Sequence, residues 1–138
     1  MPPTNIADDA FLELKNLATW VYKTAEMGEE KGEKNLSRCM DKEAREAKVR
    51  PLLEKLGYDK IQGHLVGLLR IYGSSSIEKP DNYRSLLFFP LSIGSGPESI
   101  VSGEVQVAGE VLKPGTYIQL TSTLNLDAQL DCLIVLLP

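Results

Sequence analysis

The side chains with chemical reach in this sequence are few and scattered. His64 is the only histidine, so any acid–base or nucleophilic unit built on an imidazole must use it. Hydroxyls at Ser74, Ser75 and Ser76 and a thiol at Cys132 are its nearest conceivable partners, but no G-x-S-x-G or comparable context surrounds them. His64 therefore reads as a surface or half-buried histidine with a solvent partner, and the chain reads as non-enzymatic. Cys39 and Cys132 stand 93 residues apart and, with one histidine, have no zinc spacing. Glu104, Glu110, Asp127 and Asp131 lack the pattern of a calcium loop. Gly94-Ser95-Gly96-Pro97 is rich in glycine, yet no helix opening on Lys-Ser/Thr follows to hold a phosphate. No metal or cofactor is expected.

Two groups of residues suit binding rather than catalysis. Arg70 and Arg84 flank a serine-rich loop at the ends of two strands; if the strands pair, both arginines and Ser74, Ser75 and Ser76 form a small anion-binding mouth. Trp20 and Tyr22 on the first helix form a protein-contact face, since aromatic residues anchor interfaces. Tyr22 falls off the main apolar stripe and is the better placed of the two. Met27 and Met40, near the turn between the helices, add adaptable apolar surface.

The elements that must position these groups divide the chain near residue 60. Phe11, Leu14, Ala18, Val21 and Ala25 recur at three- and four-residue steps, so Asn5 to Met27 reads as a helix with Asp8 as its N-cap. Gly28 and Gly32 bracket a polar turn. A second helix is expected from about Glu33 to Arg50, with a thin stripe of Leu36, Cys39 or Met40, Ala44 and Ala47 and with Asp41–Arg45 and Glu46–Arg50 pairs on its wet side. Pro51 forces a kink or a fresh start, and Gly57 stops the short helical piece that follows.

Beyond residue 60 the period becomes two. Strands are expected over 61–72, over Arg84 to Ile93, over 101–111, over Tyr117 to Ser122 and over Leu130 to Leu137. Pro90 implies an edge or a bulge. Lys113-Pro114-Gly115-Thr116 fits a type II turn. Leu130 to Leu137 is apolar on both faces and belongs in the middle of the sheet. The prediction is one α+β domain over 1–138: an N-terminal helical hairpin (5–57) packed on a C-terminal antiparallel sheet or small β-barrel of four to five strands (60–138).

Composition narrows the partners. The chain has 15 Lys+Arg, 19 Asp+Glu and a net charge of −4, with basic residues interleaved among acids instead of forming the stripe that duplex binding needs. Nucleic acid is not expected. Neither is a membrane: no run approaches the ~18 apolar residues of a span, and Asp8 and Asp9 precede the first hydrophobic stretch. Two cysteines make no disulfide framework, which suits a reducing cytoplasm.

One local stretch, Val107-Ala108-Gly109-Glu110-Val111-Leu112-Lys113-Pro114-Gly115-Thr116-Tyr117, resembles the G-E-V-x-x-P-G-x-Y segment of soluble-ligand-binding β-grasp modules. It covers about a dozen residues, and Leu133-Ile134-Val135 occupies the place where that family closes its following helix on a glycine pair. No ligand site is carried across. The residues themselves lead to a small protein that acts through protein–protein contact or self-association, with a protein partner or a second copy. The alternative is a small-ligand (anion or metabolite) binding module with its site at the mouth of the β part.

Overall fold

The stretch Leu130 to Leu137 has no polar alternation because it has no wet side. The computed structural model, which describes residues 3–29 and 35–138, places it at the centre of a seven-stranded sheet. Among the described residues the elements are β1 (Thr4–Asn5), α1 (Asp8–Lys23), β2 (Met27–Glu29), β3 (Leu36–Cys39), α2 (Lys42–Leu56), β4 (Leu65–Ile77), β5 (Ser85–Ile93), β6 (Val105–Val107), β7 (Glu110–Leu112), β8 (Thr116–Leu120) and β9 (Leu124–Leu137). The sheet runs β1-β8-β5-β9-β4-β3-β2 with antiparallel neighbours throughout, and β6 and β7 form a separate pair.

Three layers result. On one face Leu68, Leu87, Phe89, Leu133 and Val135 meet Leu14, Leu17 and Val21 of α1 and Val49, Leu52 and Leu53 of α2. On the other, Leu69, Ile71, Phe88, Cys132 and Ile134 are covered by Val105, Val107 and Leu112 of the β6–β7 hairpin. Strand β5 is buried at every position from Ser85 to Ser92, which only a strand covered on both sides can be.

The α+β class holds, but the sheet is larger than four to five strands and does not close into a barrel: β1 and β2 remain at its two ends. Three of its strands come from the segment read as purely helical. Leu36 and Cys39 belong to β3 and face opposite cores, so they are not a helical stripe; four residues are too few to separate the two periods. The expected polar turn and the start of the second helix, 30–34, lie outside the described residues. Asp41 is the N-cap of α2, its carboxylate accepting from Ala44 N–H at 3.0 Å. Arg45, expected to pair with it, donates to Cys39 C=O at 3.0 Å.

Pro51 lies inside α2 without ending it. An interior proline costs about 3 kcal/mol, whereas Val49, Leu52 and Leu53, at 0%, 0% and 3% exposure, gain roughly 1.5–3 kcal/mol each from burial. Burial wins. Gly57, at φ +83°, then caps the helix in the left-handed region. At the start of α1 the cap is Ala7 and not Asp8; Asp8 and Asp9 sit in the first turn, where their charge complements the helix dipole.

The expected long strand over 101–111 is two strands around a tight turn at Ala108-Gly109, both with positive φ (53° and 80°). Val107 pairs with Glu110 across that turn, a separation of three, so the alternation changes phase. Val111 is therefore 55% exposed and Leu112 is buried. The Pro-Gly turn forms as expected, with Gly115 at φ +99° and Thr116 N–H donating to Lys113 C=O at 3.0 Å. Pro90 marks a register shift between Pro90 and Ser92, a bulge within an interior strand and not an edge.

One aromatic junction ties β8 to the exit of α2. Tyr117 stacks on Phe89 at 4.6 Å between centroids and meets Tyr58 edge-on, with their hydroxyls 3.1 Å apart. Burial first, and then the Tyr58 hydroxyl, pushes the Tyr117 phenol up to about 12. A phenol raised in the fold contributes its stability below its ordinary value of about 10 and loses it as pH climbs through the raised one. Urea midpoints are thus expected to fall between about pH 10 and pH 12. A Tyr58→Phe variant should show a lower Tyr117 midpoint by carbon-13 NMR titration and an earlier loss; an unchanged midpoint refutes the coupling.

Candidate functional site

Asp131 is a single carboxylate inside an apolar strand, and it needs a cation. It is 5% exposed and stands directly opposite Arg70 in the β4–β9 register. Arg70 Nε donates to Asp131 Oδ1 at 2.7 Å and Nη2 to Oδ2 at 3.2 Å, a two-pronged pair. The bond to Asp131 holds the guanidinium in its charged form against the opposing effect of burial. Nη2 also donates to Val21 C=O at 3.0 Å. That carbonyl is an orphan of the last turn of α1, because Thr24 and Ala25 N–H both turn back to Trp20 C=O.

Beside this pair lies a cavity of about 180 Å³, walled by Tyr22, the Gly94–Gly96 loop, Ser99 and Gln129. The loop is set by Gly94 and Gly96 at φ +108° and +90°, by Gly94 N–H donating to Gln129 C=O at 2.7 Å and by Ser99 Oγ donating to Gly96 C=O at 2.7 Å. Among the described residues Arg70 Nη1 has no acceptor, so one guanidinium edge is left for whatever enters.

Of the residues expected to build an anion mouth, the structure keeps Arg70 in a cavity and takes the others elsewhere. Strand β4 continues through the serines to Ile77. Ser74 and Ser76 lie opposite Asp127 and Asn125, on the part of the β4–β9 ribbon that β5 does not reach. Ser76 Oγ donates to Asn125 Oδ1 at 2.9 Å. Ser75 Oγ turns to Gly73 and Asn35 carbonyls. Arg84 N–H donates to Leu137 C=O at the other end of β9. At about 3.3 Å per residue, Leu137 and Asn125 are roughly 40 Å apart along the strand. Arg84 and the serines share no site.

The aromatic pair also divides. Trp20 is half-buried against the helix-side core with Lys48 Nζ 6.0 Å from its ring centroid, while Tyr22 lines the Arg70 cavity. His64 lines a separate cavity beside α2. Both cysteines are buried and unpaired, and burial, with the Asp131 charge, pushes the Cys132 thiol well up, away from reactivity. Among the described residues no cluster of three or more His, Cys, Asp or Glu side chains could hold a metal ion, and no helix is long and apolar enough to cross a membrane. Sequence reasoning missed Asp131, Gln129 and the glycine loop. The signal for Asp131 was present: a lone acid in an apolar central strand must face a cation, and Arg70 is the one cation within β4.

Asp131→Asn would leave the guanidinium half-satisfied beneath α1. Breaking a fully buried pair costs about 3–5 kcal/mol; because the Arg70 side chain keeps 26% exposure, a loss of about 2–3 kcal/mol in urea unfolding is expected. The double variant Arg70→Met/Asp131→Leu should recover much of it. Equal stability of Asp131→Asn and the parent contradicts the clamp.

No protein-family model and no curated protein matches this sequence.

Proposed function

We propose that this chain is a non-enzymatic binding module for a small polar molecule, held in the cavity beside Arg70. The observation that carries the reading is the unspent Arg70 Nη1 donor on the wall of an enclosed space of about 180 Å³. A cavity of about 150 Å³ takes a benzene-sized guest, so the ligand has roughly six to ten non-hydrogen atoms. Its charge follows from Asp131. At an effective dielectric of about 20, two unit charges about 5 Å apart interact by roughly 3 kcal/mol. Attraction of an anion to Arg70 and its repulsion by Asp131 nearly cancel, and desolvation then disfavours it. A neutral carbonyl, in an amide, lactam or urea, accepts from Nη1 without that cost.

A thermal-shift panel of small amides, lactams and ureas against matched carboxylates tests this. The neutral set should raise the melting temperature, and Tyr22→Ala, which opens the wall while sparing the ion pair, should weaken binding about tenfold. Arg84→Ala should leave it unchanged. A panel without a single saturable shift defeats the reading.

Protein–protein contact or self-association is the second reading, and one observation favours it. Leu65 is 50% exposed and pairs across the strand with half-buried Leu136, an apolar step on the face that β6–β7 covers elsewhere. The earlier motive, a thinly packed second helix, falls away because α2 buries Val49, Leu52 and Leu53. Light scattering over a dilution series should give a mass that falls on dilution and a Leu65→Lys variant that is monomeric throughout. Identical masses for the two proteins would sink it.

A further inference from the structure

A second cavity, of about 270 Å³, lies between α2 and the chain entering β4. Its floor is apolar: Val49 and Leu53, which are 0% and 3% exposed, with Val66 beside them. Its rim carries Glu46, Asp59 and His64. The state of the imidazole follows from one contact. His64 Nδ1 is 2.7 Å from Ile61 C=O; a carbonyl can only accept, so Nδ1 carries the proton and Nε2 of the neutral ring keeps its lone pair. Two carboxylates and an imidazole acceptor therefore ring an apolar floor, opposed by the single guanidinium of Arg50. Glu46 and Arg50 sit four apart on α2, yet among the described residues they form no ion pair, so neither rim charge is spent on the other.

We propose that this cavity binds a primary alkylammonium: the aliphatic body rests on Val49, Leu53 and Val66, and the ammonium donates to His64 Nε2 and to the carboxylate of Asp59. An ammonium has three donors and no acceptor, which is what two acids and a lone pair select. A carboxylate ligand would meet Glu46 and Asp59 with like charge, and a neutral alcohol would leave both acids without a counter-charge. The site is independent of the Arg70 cavity and prefers the opposite polarity. Its natural source is either a free amine or the side chain of a lysine, which share this chemistry.

Imidazole nitrogen-15 NMR on the intact chain, with the ring neutral, tests it against n-pentylamine, pentanoate, pentanol and Nα-acetyl-lysine methylamide. Pentylamine should move the Nε2 resonance saturably while Nδ1 stays in place. Pentanoate and pentanol should bind at least tenfold more weakly, and Asp59→Asn should cost about tenfold in affinity. A tighter fit for the lysine derivative than for pentylamine assigns the source to a peptide; the reverse order assigns it to a free amine. His64→Phe should abolish amine binding while the backbone amide spectrum stays folded; if that variant unfolds, the Nε2 titration of the parent decides. A neutral ring protonated at Nε2, no saturable shift with pentylamine, or an equal response to pentanoate overturns the proposal. Tyr22→Ala should leave amine binding intact, so failure in either cavity is read separately.

Discussion

A charged pair in the middle of an apolar sheet fixes how the helices sit on it. Arg70 and Asp131 face one another on β4 and β9, the two strands with the longest pairing in the fold, and the same guanidinium reaches up to the C-terminal turn of α1 through Val21 C=O. Apolar packing alone tolerates sliding, because leucine against leucine has many near-equivalent arrangements. A two-pronged ion pair with a third bond to one particular carbonyl does not. It pins the rotation and the axial position of α1, and it holds open the space between the end of that helix and the Gly94–Gly96 loop.

The second constraint is that the central strands have no solvent face. With β5 and β9 apolar on both sides, the helices can cover only half of the problem. The β6–β7 hairpin covers the rest, and it does so with three short side chains, Val105, Val107 and Leu112. This explains why a chain segment of modest length carries the tightest turn in the molecule. It also explains the Pro-Gly reversal that follows, which returns the chain to pair as β8 with β5.

Much of this was legible in the residues. The doubly apolar run at Leu130 to Leu137 located the central strand, the Lys113–Thr116 turn was named by its proline and glycine, and Pro90 announced a bulge. What was not legible depended on phase or on distance. A two-residue turn at Ala108-Gly109 resets the alternation without any proline or paired glycine to announce it, so two strands read as one. Leu36 to Cys39 is too short for its period to be measured. The serines of β4 looked like a loop because their composition is that of a loop, whereas pairing with β9 along the ribbon keeps them extended. Arg84 and Ser74 to Ser76 are close in sequence, but an antiparallel return puts them at opposite ends of β9. Arg70 was picked out for an exposed mouth; its partner Asp131 gave it a half-buried role that spacing alone did not reveal.

The two sulfur atoms end up on opposite sides of the sheet, Cys39 under the helices and Cys132 beneath the hairpin. A backbone layer separates them, so they cannot reach one another while the strands stay hydrogen-bonded. The folded chain is thereby indifferent to the oxidation state of its surroundings. Oxidant has no route to crosslink it internally, and a reductant finds nothing to cleave.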